Sequence, residues 1–152
     1  ILYNPAKDRF HIKKVKKFFP NYNFTALENL DKFELRKLYL SSKIYLDFGT
    51  HPGRERMPRE AASMGCVILV ANRGSVCNDF DVPIENIYKI DINNKKLFKE
   101  IGHLVDDIFE NYEKHLIKFE NYRNKISYKN EYQLFDKRVL EFANKMVEDI
   151  KF

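Results

Sequence analysis

Two cysteines, Cys66 and Cys77, are all that this chain has for cross-linking, and two form neither a disulfide framework nor a metal-ligand cluster. Cys66 lies in an apolar run and reads as a small core residue, so the setting implied is reducing and cytoplasmic. Long hydrophobic runs are missing too. The longest, "CVILVA" from Cys66 to Ala71, falls far short of the roughly 20 residues that span a bilayer. No signal-peptide pattern is visible, and no internal repeat or low-complexity tract occurs. His11, His103 and His115 lie on helical segments with no partner spacing and are assigned no role. Asp79 and Asp81 share a proline-bearing loop, but two carboxylates make a poor cation cage. They read as turn residues, and no metal site is expected. No basic stripe interleaves with aromatics on the strands, which argues against a nucleic-acid partner.

What is present fits a globular protein. The 152 residues amount to one domain, 44% hydrophobic and 14% aromatic, enough for a proper core. The net charge of +5 suits an anionic partner such as a phosphate, a nucleic acid or a lipid head group, although the stripe that a nucleic acid calls for is missing. The chain opens on Ile1 inside an apolar run, without an initiator methionine, and is expected to be a piece of something longer.

The periodicities alternate. "ILY" reads as a strand stopped by Asn4-Pro5, and Asp8 to Phe19 as a helix ended by Pro20. "YNFTAL" alternates like a strand, Asp31 caps a helical pattern, and "KIYLDFG" gives another strand. Pro58 is expected to open a short helix closed by Gly65. "CVILVA" then has the unbroken apolar character of a central parallel strand, with "NIYKID" as a fifth. This order predicts a three-layer α/β domain with a mostly parallel sheet. Beyond it, Leu97, Ile101, Leu104, Val105, Ile108, Phe109 and Tyr112 repeat at helical spacing. Phe135, Val139, Phe142, Ala143, Met146 and Ile150 do so again. Two long C-terminal helices are therefore predicted, joined by a tyrosine- and lysine-rich stretch, with their apolar stripes in the core. Residues 1–92 form the sheet core and 93–152 the helical tail of the same domain.

Open α/β sheets bind ligands at the carboxyl ends of their strands. Tyr3 to Lys7, Gly49 to Met57 and Asn72 to Pro83 are such strand-to-helix loops, each carrying Gly or Pro together with Lys, Arg or His. Arginine forks and free N–H groups at helix starts are what phosphate oxygens require. A phosphorylated ligand is expected there.

In that order, "YNPAKD", "LSSKIYLDFG" and "HPGRERMPREAASMGCVILVANRGS" resemble the carboxy-terminal half of GT-B glycosyltransferases, of the bacterial type that assembles surface polysaccharides. The resemblance covers roughly Leu2 to Asp91. It implies a Rossmann-like domain that binds a nucleoside-diphosphate sugar as donor substrate, with no further cofactor. It also implies a preceding acceptor-binding half, metal-independent transfer and a cytoplasmic enzyme, peripheral to the membrane in its full-length form. By the family pattern, Lys7 meets the donor diphosphate and Glu60 grips the ribose hydroxyls. Gly53, Arg54 and Arg56 face the sugar and phosphates, and Gly74 and Ser75 form a turn that approaches the donor. The last helix commonly crosses back to the other half in this family. One departure stands out. Where retaining relatives carry an earlier glutamate near the transferred sugar, this chain has Pro52 beside His51, so stereochemical outcome and sugar specificity are not carried over.

Other readings stand beside these. Arg54, Glu55, Arg56 and Arg59 form, alternatively, a solvated loop whose charges pair with one another. His51 is either a catalytic group, alongside Arg54 and Arg56, or a residue that shapes the turn before Pro52. With Pro58 as the first helical residue, Glu60 falls at the third position, where a carboxylate bonds back to a cap. That cap would be Met57, which has no acceptor side chain of use. At the level of function, the alternative is a non-catalytic phosphate- or nucleotide-binding regulatory domain.

Overall fold

The computed structural model describes residues 1–149. Five short strands make one sheet: β1 (Leu2–Tyr3), β2 (Thr25–Ala26), β3 (Ile44–Asp47), β4 (Val67–Ala71) and β5 (Lys89–Ile90). All four pairings are parallel, and the spatial order is β2-β1-β3-β4-β5. Three helices alternate with the first four strands: α1 (Arg9–Phe18), α2 (Lys32–Leu40) and α3 (Arg56–Ser63). Right-handed crossovers put helices on both faces of such a sheet. The chain thus adopts the expected Rossmann-like, three-layer α/β architecture.

Every residue of β3 and β4 is buried. A strand covered on both faces has no polar side to show, which is why "CVILVA" is unbroken apolar sequence. Local signals set the helix ends. Asp31 accepts from the N–H groups of Phe33 and Glu34, and Glu34 reaches back to the Asp31 N–H at 2.8 Å, a complete capping box. Asp8 caps α1 from a left-handed conformation, and α1 buries Ile12 and Val15 on one face.

Two local expectations need correction. α3 begins at Arg56, two residues before Pro58. Pro58 is its third residue, and the first turn of a helix has no intrahelical use for that N–H, so the ring is accommodated without loss. Glu55, rather than Met57, is the N-cap, and its side chain makes no capping bond. Glu60 therefore lies at the fifth helical position, outside any capping box. Gly65 does follow the helix, at φ +99°, and its carbonyl accepts from the Tyr112 hydroxyl at 2.6 Å.

The tail is more helical than expected. α4 (Leu97–Glu110) and α7 (Tyr128–Asp149) are the two long helices, and the stretch between them folds as α5 (Tyr112–Lys118) and α6 (Glu120–Ile126). Leu97, Ile101, Val105 and Ile108 of α4, with Phe119 and Tyr122, join the same core as the sheet. The stripe on α7 does not: Phe135, Val139 and Phe142 are exposed. Ile150, expected in that stripe, lies outside the described residues. No helix among those residues is long and apolar enough to cross a membrane. Both cysteines are free, Cys66 buried and Cys77 exposed. Burial pushes the Cys66 thiol up to about 12.

Candidate functional site at the carboxyl edge of the sheet

β1 lies between β2 and β3, so the chain reverses direction across the sheet at the β1/β3 boundary. The carboxyl edge at such a boundary is where open α/β sheets bind ligands. Lys7 reaches it from the β1 loop. A Cβ on Gly49 would lie 2.8 Å from Lys7 Cδ and 3.0 Å from Asp47 Oδ1. The lysine stem thus packs closely on the β3 loop, in space that a side chain at position 49 would contest. Lys7 Nζ donates to Glu55 Oε2 at 2.5 Å and lies 3.7 Å from Asp47 Oδ2.

Asp47 is the buried anion around which the β3 loop is built. Its carboxylate accepts from the Gly49 N–H at 2.9 Å and the Tyr45 hydroxyl at 3.1 Å, and its side chain is fully enclosed. Burial, then the Asp47 charge, holds the Tyr45 phenol far above its ordinary value, so Tyr45 is a fixed donor. The His51 ring is also enclosed, 1% exposed, with Nε2 donating to the Asp47 carbonyl at 3.3 Å and 3.6 Å from Oδ1. His51 itself adopts φ +48°. In this conformation its imidazole faces the strand end rather than solvent.

The β4 loop clamps this turn from the other side. Ser75 N–H donates to the His51 carbonyl at 2.9 Å, and Ser75 Oγ donates to the Gly53 carbonyl at 2.8 Å. Gly74 has φ +56°, and a Cβ there would fall 2.0 Å from His51 O and 2.5 Å from Thr50 O. Gly74 and Ser75 are thus spent on holding the β3 loop, a positioning task that the "RGS" motif did not announce by itself.

Arg54 Nε donates to Asp81 Oδ1 at 3.1 Å, and its guanidinium lies 5.8 Å from the Phe80 ring centre. Hydrogen bonds from the Asn78 amide and then from Arg54 hold the Asp81 carboxyl below its usual range. Arg56 and Glu60, one helical turn apart, lie 3.4 Å from each other at Nε and Oε1. Arg59 pairs with Glu131 at the start of α7. Arg54, Arg56, Arg59, Glu60 and Glu131 together line a shallow depression of about 240 Å³. A larger cleft of about 570 Å³ lies elsewhere, between β5 and α4, and none of the sequence-predicted site residues borders it.

Lys7, His51, Gly53, Arg54, Gly74 and Ser75, drawn from three loops, thus meet at one edge, while Arg56 and Glu60 sit beside them on α3. Asp47, Glu55 and Asp81 were not singled out as site residues. Asp47 carried a signal, a carboxylate inside the apolar run "IYLDF". Buried strand positions carry a charge only when something pairs with it. Asp79 and Asp81 do lie in a turn, Asp79 with an exposed side chain, and each also accepts from a cation, Asp79 from Lys89 at 2.7 Å and Asp81 from Arg54. His115 is also engaged, accepting from the buried Tyr88 hydroxyl at 2.8 Å and donating to Asp107 at 3.0 Å.

Fold and site together define the class: a doubly wound parallel α/β domain with a charged loop cluster at its switch point. No protein-family model, characterised protein or solved structure matches the chain.

Proposed function

We propose that this chain is the donor-binding half of a glycosyltransferase of surface-polysaccharide assembly, taking a nucleoside-diphosphate sugar at the carboxyl edge of its sheet. One observation supports this most: Lys7 of the β1 loop meets Asp47 and Glu55 of the β3 segment at the β1/β3 switch point, and Arg54 of the same segment reaches Asp81 of the β4 loop. Diphosphate leaving groups gain charge as the anomeric bond breaks, and fixed cations and helix N–H groups stabilise that charge. The cations here are each already paired with a carboxylate. That does not oppose the reading. Arg56–Glu60 is a largely exposed pair, worth about 0–1 kcal/mol, while Lys7–Glu55 and Arg54–Asp81 are part-buried. A diphosphate, with several charged oxygens, competes with these single carboxylates for the same cations. His51, enclosed as it is, serves to shape the turn that presents Gly53 and Arg54. The acceptor half lies outside this chain, and the full-length enzyme works in the cytoplasm, peripheral to the membrane.

Calorimetry and thermal shift against UDP-, GDP- and dTDP-linked sugars, with CMP-linked sugars as the monophosphate comparison, test this directly. One of them is expected to bind weakly, without sugar transfer by this chain alone, and with an affinity unchanged by EDTA. No heat or shift from any of the four at millimolar ligand would sink the donor reading. A strict requirement for Mg²⁺ or Mn²⁺ would overturn the charge-stabilisation scheme. Binding without transfer even after the preceding half is joined would favour a regulatory nucleotide-binding domain.

A further inference from the structure

From Tyr128, apolar residues recur at spacings of four, three, four and three: Tyr128, Tyr132, Phe135, Val139 and Phe142. This is the a/d spacing of a coiled coil over two heptads of a single helix, with Leu134 and Leu140 also exposed beside it. A seam that packed on its own domain would be buried. These five residues are 83%, 54%, 64%, 47% and 66% exposed, respectively. Contiguous apolar surface of this kind marks an interaction site.

The charges flanking the seam say what covers it. Taking Tyr132 and Val139 as a positions, Lys129 and Asp136 are e positions, and Glu131 and Arg138 are g positions. In a parallel pair, g meets the following e of the other helix, which sets Glu131 against Asp136 and is repulsive. In an antiparallel pair with Tyr132 opposite Phe135 and Val139 opposite Tyr128, e meets e and g meets g. Lys129 then faces Asp136 of the second copy, Glu131 faces Arg138 of the second copy, and the two-fold axis repeats both contacts. Glu131 already accepts from Arg59 of its own chain, so it comes to lie between two guanidinium groups. The seam is thus charge-complementary to itself in one orientation only.

We propose that the chain self-associates into an antiparallel dimer through α7. An aromatic side chain buries about 150–250 Å², so the exposed seam offers about 500 Å² per copy and on the order of 1,000 Å² for the pair. That lies at the lower limit for a specific interface, and the dimer is accordingly reversible. The dimer rests on the exposed seam of α7 and not on the donor-binding reading, although Glu131 also borders the depression beside Arg54, Arg56 and Glu60.

Sedimentation equilibrium from low micromolar to submillimolar concentration is the test. The native chain is expected to dimerise reversibly, and Phe135→Glu to remain monomeric with an unchanged far-ultraviolet spectrum and melting temperature. Asp136→Lys turns two attractive contacts repulsive and is expected to weaken the dimer about tenfold. Adding Lys129→Asp restores opposite charges in the antiparallel register, and dimerisation is expected to recover, whereas a parallel pair would already gain from Asp136→Lys alone, through Glu131. A native monomer throughout, a dimer indifferent to Phe135→Glu, or a double charge swap that fails to rescue would each overturn the proposal. A monomer would point instead to a different partner for the seam, such as another part of a longer chain.

Discussion

At the scale of single residues, Glu60 is where structure sharpened a question that sequence left open. Read from Pro58, it occupied a capping position, so its loss would have mixed helix stability with ligand binding. With α3 starting at Arg56 it has no capping role. Among the described residues its carboxylate pairs with Arg56, in an ion pair whose guanidinium is well exposed, and such pairs contribute little. Glu60→Gln is therefore expected to leave the melting temperature nearly unchanged. If Glu60 accepts from both ribose hydroxyls, a hydrogen bond to a charged group worth about 1.5–3 kcal/mol is weakened. Nucleotide affinity should then fall roughly tenfold to a hundredfold. Calorimetry on the pair of proteins decides it, and unchanged affinity would remove Glu60 from the ribose.

Among the loops and helices, what holds the site is the docking of the β4 loop onto the β3 loop. Gly74 is the contact that admits no substitute. Alanine there must adopt a left-handed backbone and also push aside the His51 peptide. The combined cost is expected to be on the order of 3 kcal/mol. Gly53 is the matched control: a Cβ there meets nothing within 4 Å, so Gly53→Ala should be near neutral in stability. Denaturant midpoints of the two variants measure the difference, and equal midpoints would mean that the loops are not clamped as described. These elements also show where sequence was legible. The alternation of strands and helices was readable because β3 and β4 are buried on both faces and α1 and α2 on one. Those environments dictate apolar periodicity, and Asp31 with Glu34 spells out a cap. α5 and α6 were not readable, because a stretch rich in Tyr, Lys and Asn that buries only His115, Phe119 and Tyr122 leaves too faint a stripe. At the site, the loop positions followed from topology alone. The pairings did not, since Lys7 with Glu55, Arg54 with Asp81 and Arg59 with Glu131 join residues 48, 27 and 72 positions apart.

Across the whole molecule, burial is uneven, and that predicts an uneven response to opening. The core joins the sheet to α4 and to Phe119 and Tyr122, whereas the apolar stripe of α7 faces outward. Amides in β3 and β4 open only when the domain unfolds, at a free energy of about 5–15 kcal/mol for a typical domain. Amides of an exposed helix open locally, at a small fraction of that. Hydrogen exchange at low protein concentration is therefore expected to be much faster along α7 than in β3 and β4. A helix that pairs with a second copy gains protection by mass action. Raising the concentration should accordingly slow exchange in 128–142 while leaving the sheet unchanged, and Phe135→Glu should abolish that dependence. Protection of α7 equal to that of the sheet in a strict monomer would mean that the seam packs on its own domain. The outward placement of Phe135 and Phe142, and the dimer built on it, would then both fall.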